Sequence, residues 1–140
     1  MIFGTNTDFG KKMTLIEMAL DANALRREVI ADNIANVNVP FFKRSEVSFE
    51  SQLTRALESE QQDQFPTMMT DERHISFNQF IDYKGVSPKI SVEYDSNYRN
   101  DKNNVDIDKE MIDSTKNSMQ YNALMEMYSR NLKIVDFVMR

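Results

Sequence analysis

The stretch A-D-N-I-A-N-V-N-V-P-F-F-K-R-S, residues 31–45, places three asparagines at the end of a segment that otherwise has the pattern of a helix. Asparagine is a mediocre helix former because its amide competes for backbone hydrogen bonds. Pro40 disfavours helical backbone at the preceding residue, and Asn38 tolerates the left-handed turn that commonly ends a helix. We therefore expect a helix to end near Asn38. Asn33 and Asn36 lie three positions apart on one helix face, where their amides can bond to a packed neighbour or face water.

A long helix is predicted upstream of this stop signal. Between about residues 14 and 37, apolar residues recur at spacings of three and four in two adjoining rows, which is typical of a helix that is apolar over two faces. The first row is Leu15, Met18, Ala22, Leu25 and Val29, and the second contains Met13, Ile16, Leu20, Ala24, Ala31 and Ile34. Thr14 and Glu17 could form a capping box, with Asp8 as an earlier possible start.

A second long helix is predicted over residues 106–140. Its apolar residues have coiled-coil spacing, in the row Tyr121, Met125, Tyr128, Leu132, Val135 and Met139. Asp106, Asp108 and Glu110 lie where the helix dipole favours negative charge. Neither long helix would be stable alone, so each is expected to need a partner surface.

The middle of the chain is different in character. Residues 48–61 have the pattern of a short helix with Phe49, Leu53, Ala56 and Leu57 on one face. Residues 86–94 alternate apolar and polar side chains and predict a strand or half of a hairpin. The expected fold class is therefore mainly α: long N- and C-terminal helices packed as a coiled-coil-like pair or bundle, with a small, mixed, loop-rich middle. The boundaries are 1–38, 39–104 and 105–140.

Composition excludes several classes of function. The chain has 140 residues, a net charge of −5 and no cysteine. Phosphate tracking along nucleic acid is not expected of such a charge, and disulfides and thiolate metal sites are absent. No run of about 18 apolar residues is present, and the N-terminus lacks the pattern of a cleavable secretory signal. The ten methionines suit either an ordinary core or surfaces that adapt to a neighbour.

Catalytic and metal-binding chemistry is also poorly represented. The single histidine, His74, stands beside Asp71 and Glu72, but a lone histidine is more often a structural residue. Asp101 and Asn103 begin a calcium-loop pattern that fails, since Asp106 occupies the position that requires glycine and Ile112 the position that requires glutamate. We expect no enzyme, no cofactor, no metal and no small-molecule substrate.

Two motifs resemble a known family. The stretch ADNIANVNVPFFKR resembles the A-N-N-I-A-N-x-N-T-P-G-Y-K-R motif of bacterial flagellar axial proteins, which form the rod, hook and hook junction. Residues 103–111, NNVDIDKEM, resemble their G-N-N-V-D-x-D-x-E-M motif, which also precedes one long helix. Within the family, TMMTDERHI at residues 67–75 and the final helix are most similar to the proximal rod proteins. The sister short rod protein usually has a proline where this chain has Ile107, and a Tyr-Glu-Ala-Asn run in its final helix.

Both motifs depart from the family pattern. Val39 and Phe41 replace the common threonine and glycine around the proline, and Lys102 stands where the second motif often has glycine. Since phenylalanine adopts a positive φ only at a cost, a glycine-dependent turn is not expected at Phe41.

The resemblance implies a structural subunit of the flagellar basal-body rod, which polymerises through its terminal helices into the shaft that transmits torque. It further implies export without signal cleavage to the periplasmic rod. The implied partners are copies of itself, other rod proteins, the hook-basal body junction protein, the MS-ring protein and the flagellar type III export gate. The alternative is a helical binding module, such as an export adaptor or chaperone, that captures a partner helix.

The residues expected to pack between subunits lie on both helices and in both motifs. They are Leu15, Met18, Leu25, Val29, Asn33, Asn36, Asn38, Pro40, Asn103, Asn104, Asp106, Met111, Tyr121, Met125, Tyr128, Leu132, Val135 and Met139.

Overall fold

The structure is a computed structural model that describes residues 7–61, 81–94 and 99–139. Its elements are α1 (Asp8–Ala35), β1 (Ser45–Ser48), α2 (Glu50–Gln61), a short 3-10 helix (Tyr83–Gly85), β2 (Lys89–Val92) and α3 (Ile107–Val138). They form two compact units, one of Met1–Val47 with Pro88–Arg140 and the other of Ser48–Ser87. The mainly helical class expected from the sequence, with two long terminal helices and a small mixed middle, is confirmed.

Helix α1 begins earlier than its apolar pattern indicates. The hydroxyl of Thr7 accepts a hydrogen bond from the backbone N–H of Gly10, so Thr7 is the N-cap residue. The capping box predicted at Thr14 is wrong, because the Thr14 hydroxyl donates to the carbonyl oxygen of Gly10 inside the helix. The helix ends at Ala35, two residues before the predicted end.

Helices α1 and α3 pack against each other in antiparallel directions. Asn33, near the end of α1, contacts Glu110 in the first turn of α3, whereas Glu17 contacts Tyr128 toward the opposite ends. Helix α3 spans roughly 48 Å at 1.5 Å per residue. Asp106 caps its N-terminus by accepting from the backbone N–H groups of Asp108 and Lys109.

The seam between these helices differs from both predicted rows of α1. The buried residues of α1 are Ile16, Ala22, Asn23, Val29, Ile30 and Asn33. Those of α3 are Glu110 and Asn117. Asparagine therefore occupies positions that a hydrophobic pattern assigns to the polar side. Asn117 donates to the backbone carbonyl of Asn23 at 2.9 Å, which joins the middle of α1 to the first third of α3.

A two-stranded antiparallel ribbon lies beside the helix pair, in the same unit. The predicted strand in residues 86–94 is observed as β2, and its partner is β1, which precedes α2 in the chain. The Glu93 N–H donates to the Arg44 carbonyl at 2.9 Å, and the Ser91 hydroxyl donates to the Glu46 carbonyl. The ribbon thereby fixes the backbone immediately after α1.

The second unit contains α2 and the 3-10 helix. Of the predicted apolar face, Phe49 and Ala56 are buried and Leu53 and Leu57 are half-buried, as expected. Tyr83 is also buried. The Ser59 hydroxyl accepts from the backbone N–H of Ile81 at 3.1 Å.

Within the described segments of the whole chain, no helix is long and apolar enough to cross a membrane.

Candidate functional site

The two sequence motifs, about 70 positions apart in the chain, meet where α1 ends and α3 begins. Five polar side chains from them, Asn33, Arg44, Asn103, Asn104 and Glu110, bond to one another or to the opposite motif's backbone, and we call this set the clasp. Three of them have essentially no exposed surface: Asn33 at 1%, Asn103 at 0% and Glu110 at 0%. Buried polar groups are costly unless their hydrogen bonds are made. In the clasp, these bonds are made within the chain.

Asn33 joins α1 to the first strand and to α3. Its amide nitrogen donates to the Ser45 carbonyl at 2.8 Å, and its amide oxygen accepts from the Ser45 N–H at 3.0 Å. The same nitrogen also donates to a carboxylate oxygen of Glu110 at 3.2 Å. Both ends of the Asn33 amide are thus bonded inside one chain, and the packing of Asn33 between subunits stays a prediction.

Arg44 and Glu110 form the charged centre of the clasp. Arg44 Nε lies 2.6 Å from Glu110 Oε1, and both side chains are buried. Its guanidinium also lies within 3.5 Å of carboxylate oxygens of Glu46, Glu93 and Asp113, which are more exposed. A buried ion pair is weak evidence for net stability, because both charges lose their hydration. Removal of one partner is nevertheless strongly destabilising, since the other charge then stays buried without its partner.

Burial and ion pairing act on the Arg44 charge in opposite directions. Desolvation lowers the pKa of Arg44, but its hydrogen bonds to Glu110 and Glu93 and the negative charges of Glu110 and Glu46 outweigh this effect, so that the pKa is raised. Arg44 consequently stays charged throughout the accessible pH range. Arg44 therefore acts in the clasp as a fixed positive charge.

Asn103 holds the backbone turn that follows α1. Its amide nitrogen lies 2.9 to 3.1 Å from the carbonyl oxygens of Asn36, Val37 and Val39, and its amide oxygen accepts from the Val105 N–H at 2.8 Å. The end of a helix leaves carbonyl groups without intrahelical donors. Here the donor comes from the second motif, more than 60 residues downstream.

Asn104 completes the connection to the ribbon. Its amide oxygen accepts from the Arg44 N–H at 2.7 Å, and its amide nitrogen donates to the Glu93 carbonyl at 2.8 Å. The adjacent asparagines of the second motif therefore have separate tasks. Asn103 secures the end of α1, and Asn104 secures the strands beside it.

The turn at Phe41 is opposite to expectation, and Lys102, the departure in the second motif, has the same backbone conformation. Phe41 has φ of 65° and Lys102 has φ of 58°, so both occupy the left-handed region that favours glycine. The Phe42 N–H donates to the Val39 carbonyl across Pro40 and Phe41. Proline followed by a residue of positive φ is typical of a type II turn. The glycine-type turn is thus kept at Phe41 without the glycine.

The other two asparagines of the first motif have local roles. Asn36 is the C-cap residue of α1, and its amide donates to the carbonyl of Asp32 in its own helix at 2.7 Å. Asn38 is exposed and does not have a positive φ, so the predicted left-handed helix end at Asn38 is wrong. The helix ends instead through Asn36 and the remote donor Asn103.

The structure separates the sequence-predicted packing residues by exposure. Those that are buried in the single chain are Val29, Asn33 and Asn103. Those that are half-buried are Leu15, Met18, Leu25, Asn36, Asn104, Tyr121, Tyr128 and Val135. Those that are exposed are Asn38, Pro40, Asp106, Met111, Met125, Leu132 and Met139. The predicted α3 row is therefore divided: Tyr121, Tyr128 and Val135 lie toward α1, and Met125, Leu132 and Met139 face outward.

Sequence reasoning missed Arg44, Asn23 and Asn117, and it assigned Glu110 to a helix dipole when it is the buried partner of Arg44. An available signal was the position of Arg44 at the end of the first motif and of Glu110 within the second. Hydrophobic periodicity does not detect such residues, because it scores charged and amide side chains as surface.

Nothing in the described segments suggests metal or cofactor chemistry. No group of three or more His, Cys, Asp or Glu side chains there could hold a metal ion. His74, Asp71 and Glu72 lie outside the described residues, as does the TMMTDERHI stretch. The chemistry that the clasp does perform is noncovalent: it locks the two motifs, the ribbon and both long helices together.

The sequence of this chain matches known proteins. Residues 17–43, which cover most of α1 and the turn after it, match the family described as flagella basal body rod protein. A flagellar basal body rod protein FlgB of Borreliella burgdorferi is 33% identical over 95% of this chain and 98% of its own length. Its namesake of Borrelia hermsii is 36% identical over 94% and 98%, and that of Bacillus subtilis is 32% identical over 79% of each chain.

A pair of long terminal helices joined by the two motifs, with the family match on the first motif, defines a flagellar basal body rod protein. The similarity to FlgB proteins extends along almost the full length of two of these relatives, which identifies the family among the rod proteins. The chain belongs to the FlgB family of flagellar basal body rod proteins.

Proposed function

We propose that this chain is a structural subunit of the flagellar basal-body rod that assembles through outward-facing apolar strips on α3. Family membership supports the structural role in the rod. It sets aside the alternative of an export adaptor or chaperone. The mode of assembly rests on the observation described next.

Helix α3 exposes far more apolar surface than a solvated helix needs. Its exposed large apolar side chains are Ile107, Met111, Ile112, Met119, Met125, Met127, Leu132, Ile134, Phe137, Val138 and Met139. A helix that is apolar on several faces is normally covered on several faces. Extended apolar surface on a protein marks an interaction site. Helix α1 covers one face of α3, and neighbouring chains would cover the others.

The exposed residues fall into two strips on either side of a polar row. Met111, Met125, Leu132 and Met139 recur at multiples of seven residues, and Ile112, Met119, Met127 and Ile134 recur at seven or eight. The polar row between them contains Thr115, Asn122 and Lys133. Two separate apolar strips fit two different neighbours. The methionines would let each strip adapt to its partner.

This arrangement suits the transmission of torque. A shaft needs stiffness that is distributed over many contacts, and a helix packed on three sides supplies it. The clasp contributes by holding α1 and α3 in one register, so that the strips keep a fixed position relative to α1. Other rod proteins, the junction protein, the MS-ring protein and the export gate are the neighbours expected of such a subunit, and export would proceed without signal cleavage.

The test places a charge in one strip. Met125→Asp or Leu132→Asp, expressed in place of the native chain, should block rod formation while the subunit is still exported, because an unpaired charge buried in an interface costs several kcal/mol. Asn122→Asp, in the polar row, is the matched control and should form rods normally. Secreted subunit and purified basal bodies are counted separately. Normal rods in both apolar-strip variants would refute the proposed packing face.

A further inference from the structure

We propose that Phe41 is a docking residue that inserts into a neighbouring copy of this chain, held outward by a turn whose backbone is strained. The inference rests on the proposed function, because it requires subunits that pack together. It adds a contact outside α3 and concerns a side chain that does nothing evident for the fold of the single chain.

The first observation is the conformation of Phe41. Its φ of 65° is a backbone state that L residues other than glycine, asparagine and aspartate rarely adopt. Pro40 fixes the preceding φ, and the Phe41 N–H donates to the Asp101 carbonyl at 2.9 Å, so the turn cannot relax locally. Strained residues persist where the surroundings over-determine them, and they concentrate at functional positions.

The second observation is that the strain places the aromatic ring in water. Phe41 is 69% exposed, and the adjacent Val39 is 45% exposed. Lys102, itself at positive φ, places its ammonium 5.7 Å from the centre of the Phe41 ring. Glycine at position 41 would adopt the left-handed conformation without strain, and the core would lose no packing contact. The presence of the aromatic ring on the surface therefore points to a contact with another molecule.

The third observation concerns charge and indicates the partner. The tip formed by residues 39–43 and 99–102 contains the cations Lys43, Arg99 and Lys102 and only one carboxylate, Asp101, which pairs with Arg99 at 2.8 Å. The whole chain carries −5. A cationic rim around an exposed ring complements a partner that carries net negative charge, and a second copy of this acidic chain is such a partner. Exposed Ile107, at the start of α3, lines one pocket together with Arg99, so the tip lies close to the start of α3.

The first experiment separates fold stability from assembly. In the free chain, Phe41→Gly should raise the melting temperature, on the order of 3 °C, because the strain is relieved and no core contact is lost. Expressed in place of the native chain, the same variant should give at least tenfold fewer purified rods, with secretion unchanged. Lys102→Gly relieves the same kind of strain and leaves the ring in place, so it should also raise the melting temperature but reduce rods much less. Phe41→Tyr should match the native chain in both measurements.

The second experiment identifies the neighbour. A photoreactive benzoylphenylalanine introduced at Phe41 should, in assembled basal bodies, crosslink to a second copy at an apolar position next to a carboxylate. A crosslink confined to the same chain, or to a different basal-body protein, would overturn the assigned partner.

Two results would overturn the role itself: normal rod numbers with Phe41→Gly, or a lower melting temperature, which would show that the ring serves the fold. If Phe41→Gly forms normal rods while Met125→Asp does not, the docking role fails and the proposed function stands. If neither variant changes rod number, the proposed packing face fails as well.

Discussion

The asparagines of the first motif act on the fold of a single chain, and each acts differently. Asn33 has both ends of its amide bonded to Ser45 and lies 1% exposed, whereas Asn36 bonds only within its own helix. Loss of a buried partner costs more than loss of a local bond near water, because the groups left behind cannot be hydrated.

Asn33→Ala should therefore lower the free energy of unfolding of the isolated chain by about 1–3 kcal/mol. Asn36→Ala is the matched control and should change it by no more than about 0.5 kcal/mol. Denaturant titration of each purified variant measures both values. Equal effects of the two substitutions would show that the buried hydrogen bonds of Asn33 do not stabilise the fold more than the local bond of Asn36 does.

The ion pair between Arg44 and Glu110 gives a second prediction for single residues. Arg44→Met should destabilise the chain by about 3–5 kcal/mol, because Glu110 then remains buried and charged without its cation. Arg44→Met combined with Glu110→Leu should recover most of this loss, since no charge is left buried. If the double variant is as unstable as Arg44→Met, the loss of stability does not come from the unpaired charge of Glu110, and the ion pair itself stabilises the fold. Thermal and denaturant unfolding of the three chains decide the point.

At the scale of elements, the helices were predictable and their contact face was not. Apolar spacing located both long helices to within a few residues at three of their four ends, and the exception was the start of α1, where Thr7 supplies the cap. The seam was misplaced because Asn23, Asn33 and Asn117 occupy it. Periodicity assigns such residues to water, and only the tertiary structure shows that they are buried and that their amide nitrogens donate hydrogen bonds there.

The strands and the turns illustrate the same limit. The alternating pattern predicted β2, but β1 has only four residues and no sequence pattern predicted it. Its pairing depends on Asn33 and Asn104, which are distant in sequence. The positive φ of Phe41 was judged too costly from the residue type alone. Pro40 and the Asp101 carbonyl impose it, and both constraints are visible only in three dimensions.

A pH-dependent contact connects the far ends of the two long helices. The Tyr128 hydroxyl donates to the Glu17 carboxylate at 3.2 Å, and this hydrogen bond and the nearby negative charge raise the pKa of Tyr128 above its ordinary value of 10.0. A raised folded-state pKa means that the contact stabilises the pair below pH 10 and is lost as pH rises through the folded pKa. Because the site is exposed, the effect on stability is small.

Glu17→Gln should lower the pKa of Tyr128, and an NMR titration of the tyrosine ring carbons measures it. Tyr128→Phe identifies the signal among the five tyrosines. An unchanged midpoint in Glu17→Gln would mean that the two helices do not meet through this pair.

For the molecule as a whole, burial is graded along the helix pair. The buried residues of α3, Glu110 and Asn117, belong to its first third, and no residue from 118 to 139 is fully buried. Local opening free energies follow such gradients, because few buried contacts oppose opening. The helix pair is expected to be firmest at the clasp and to loosen away from it.

Hydrogen exchange of the free subunit should therefore show strong protection over residues 29–34 and 103–117. Protection should decline toward residue 139. Assembly should protect the end of α3 as well, since neighbouring chains would then cover its apolar strips. Uniform protection of α3 in the dilute monomer would contradict this gradient. The exchange rates of purified rods provide the comparison.

The clasp also has a consequence for the order of events in time. Its bonds between the two motifs join residues 60 to 77 positions apart, so forming them requires closure of a long loop, which slows folding. Ribosomes release the N-terminus first, and α1 is therefore complete long before Asn103 and Glu110 exist to secure it. A nascent or truncated chain that ends before residue 103 has the sequence of α1 but lacks Asn103 and Glu110, which bond to the end of this helix. Such a chain acquires the side chains that hold the end of α1 only when residues 103–110 have been made.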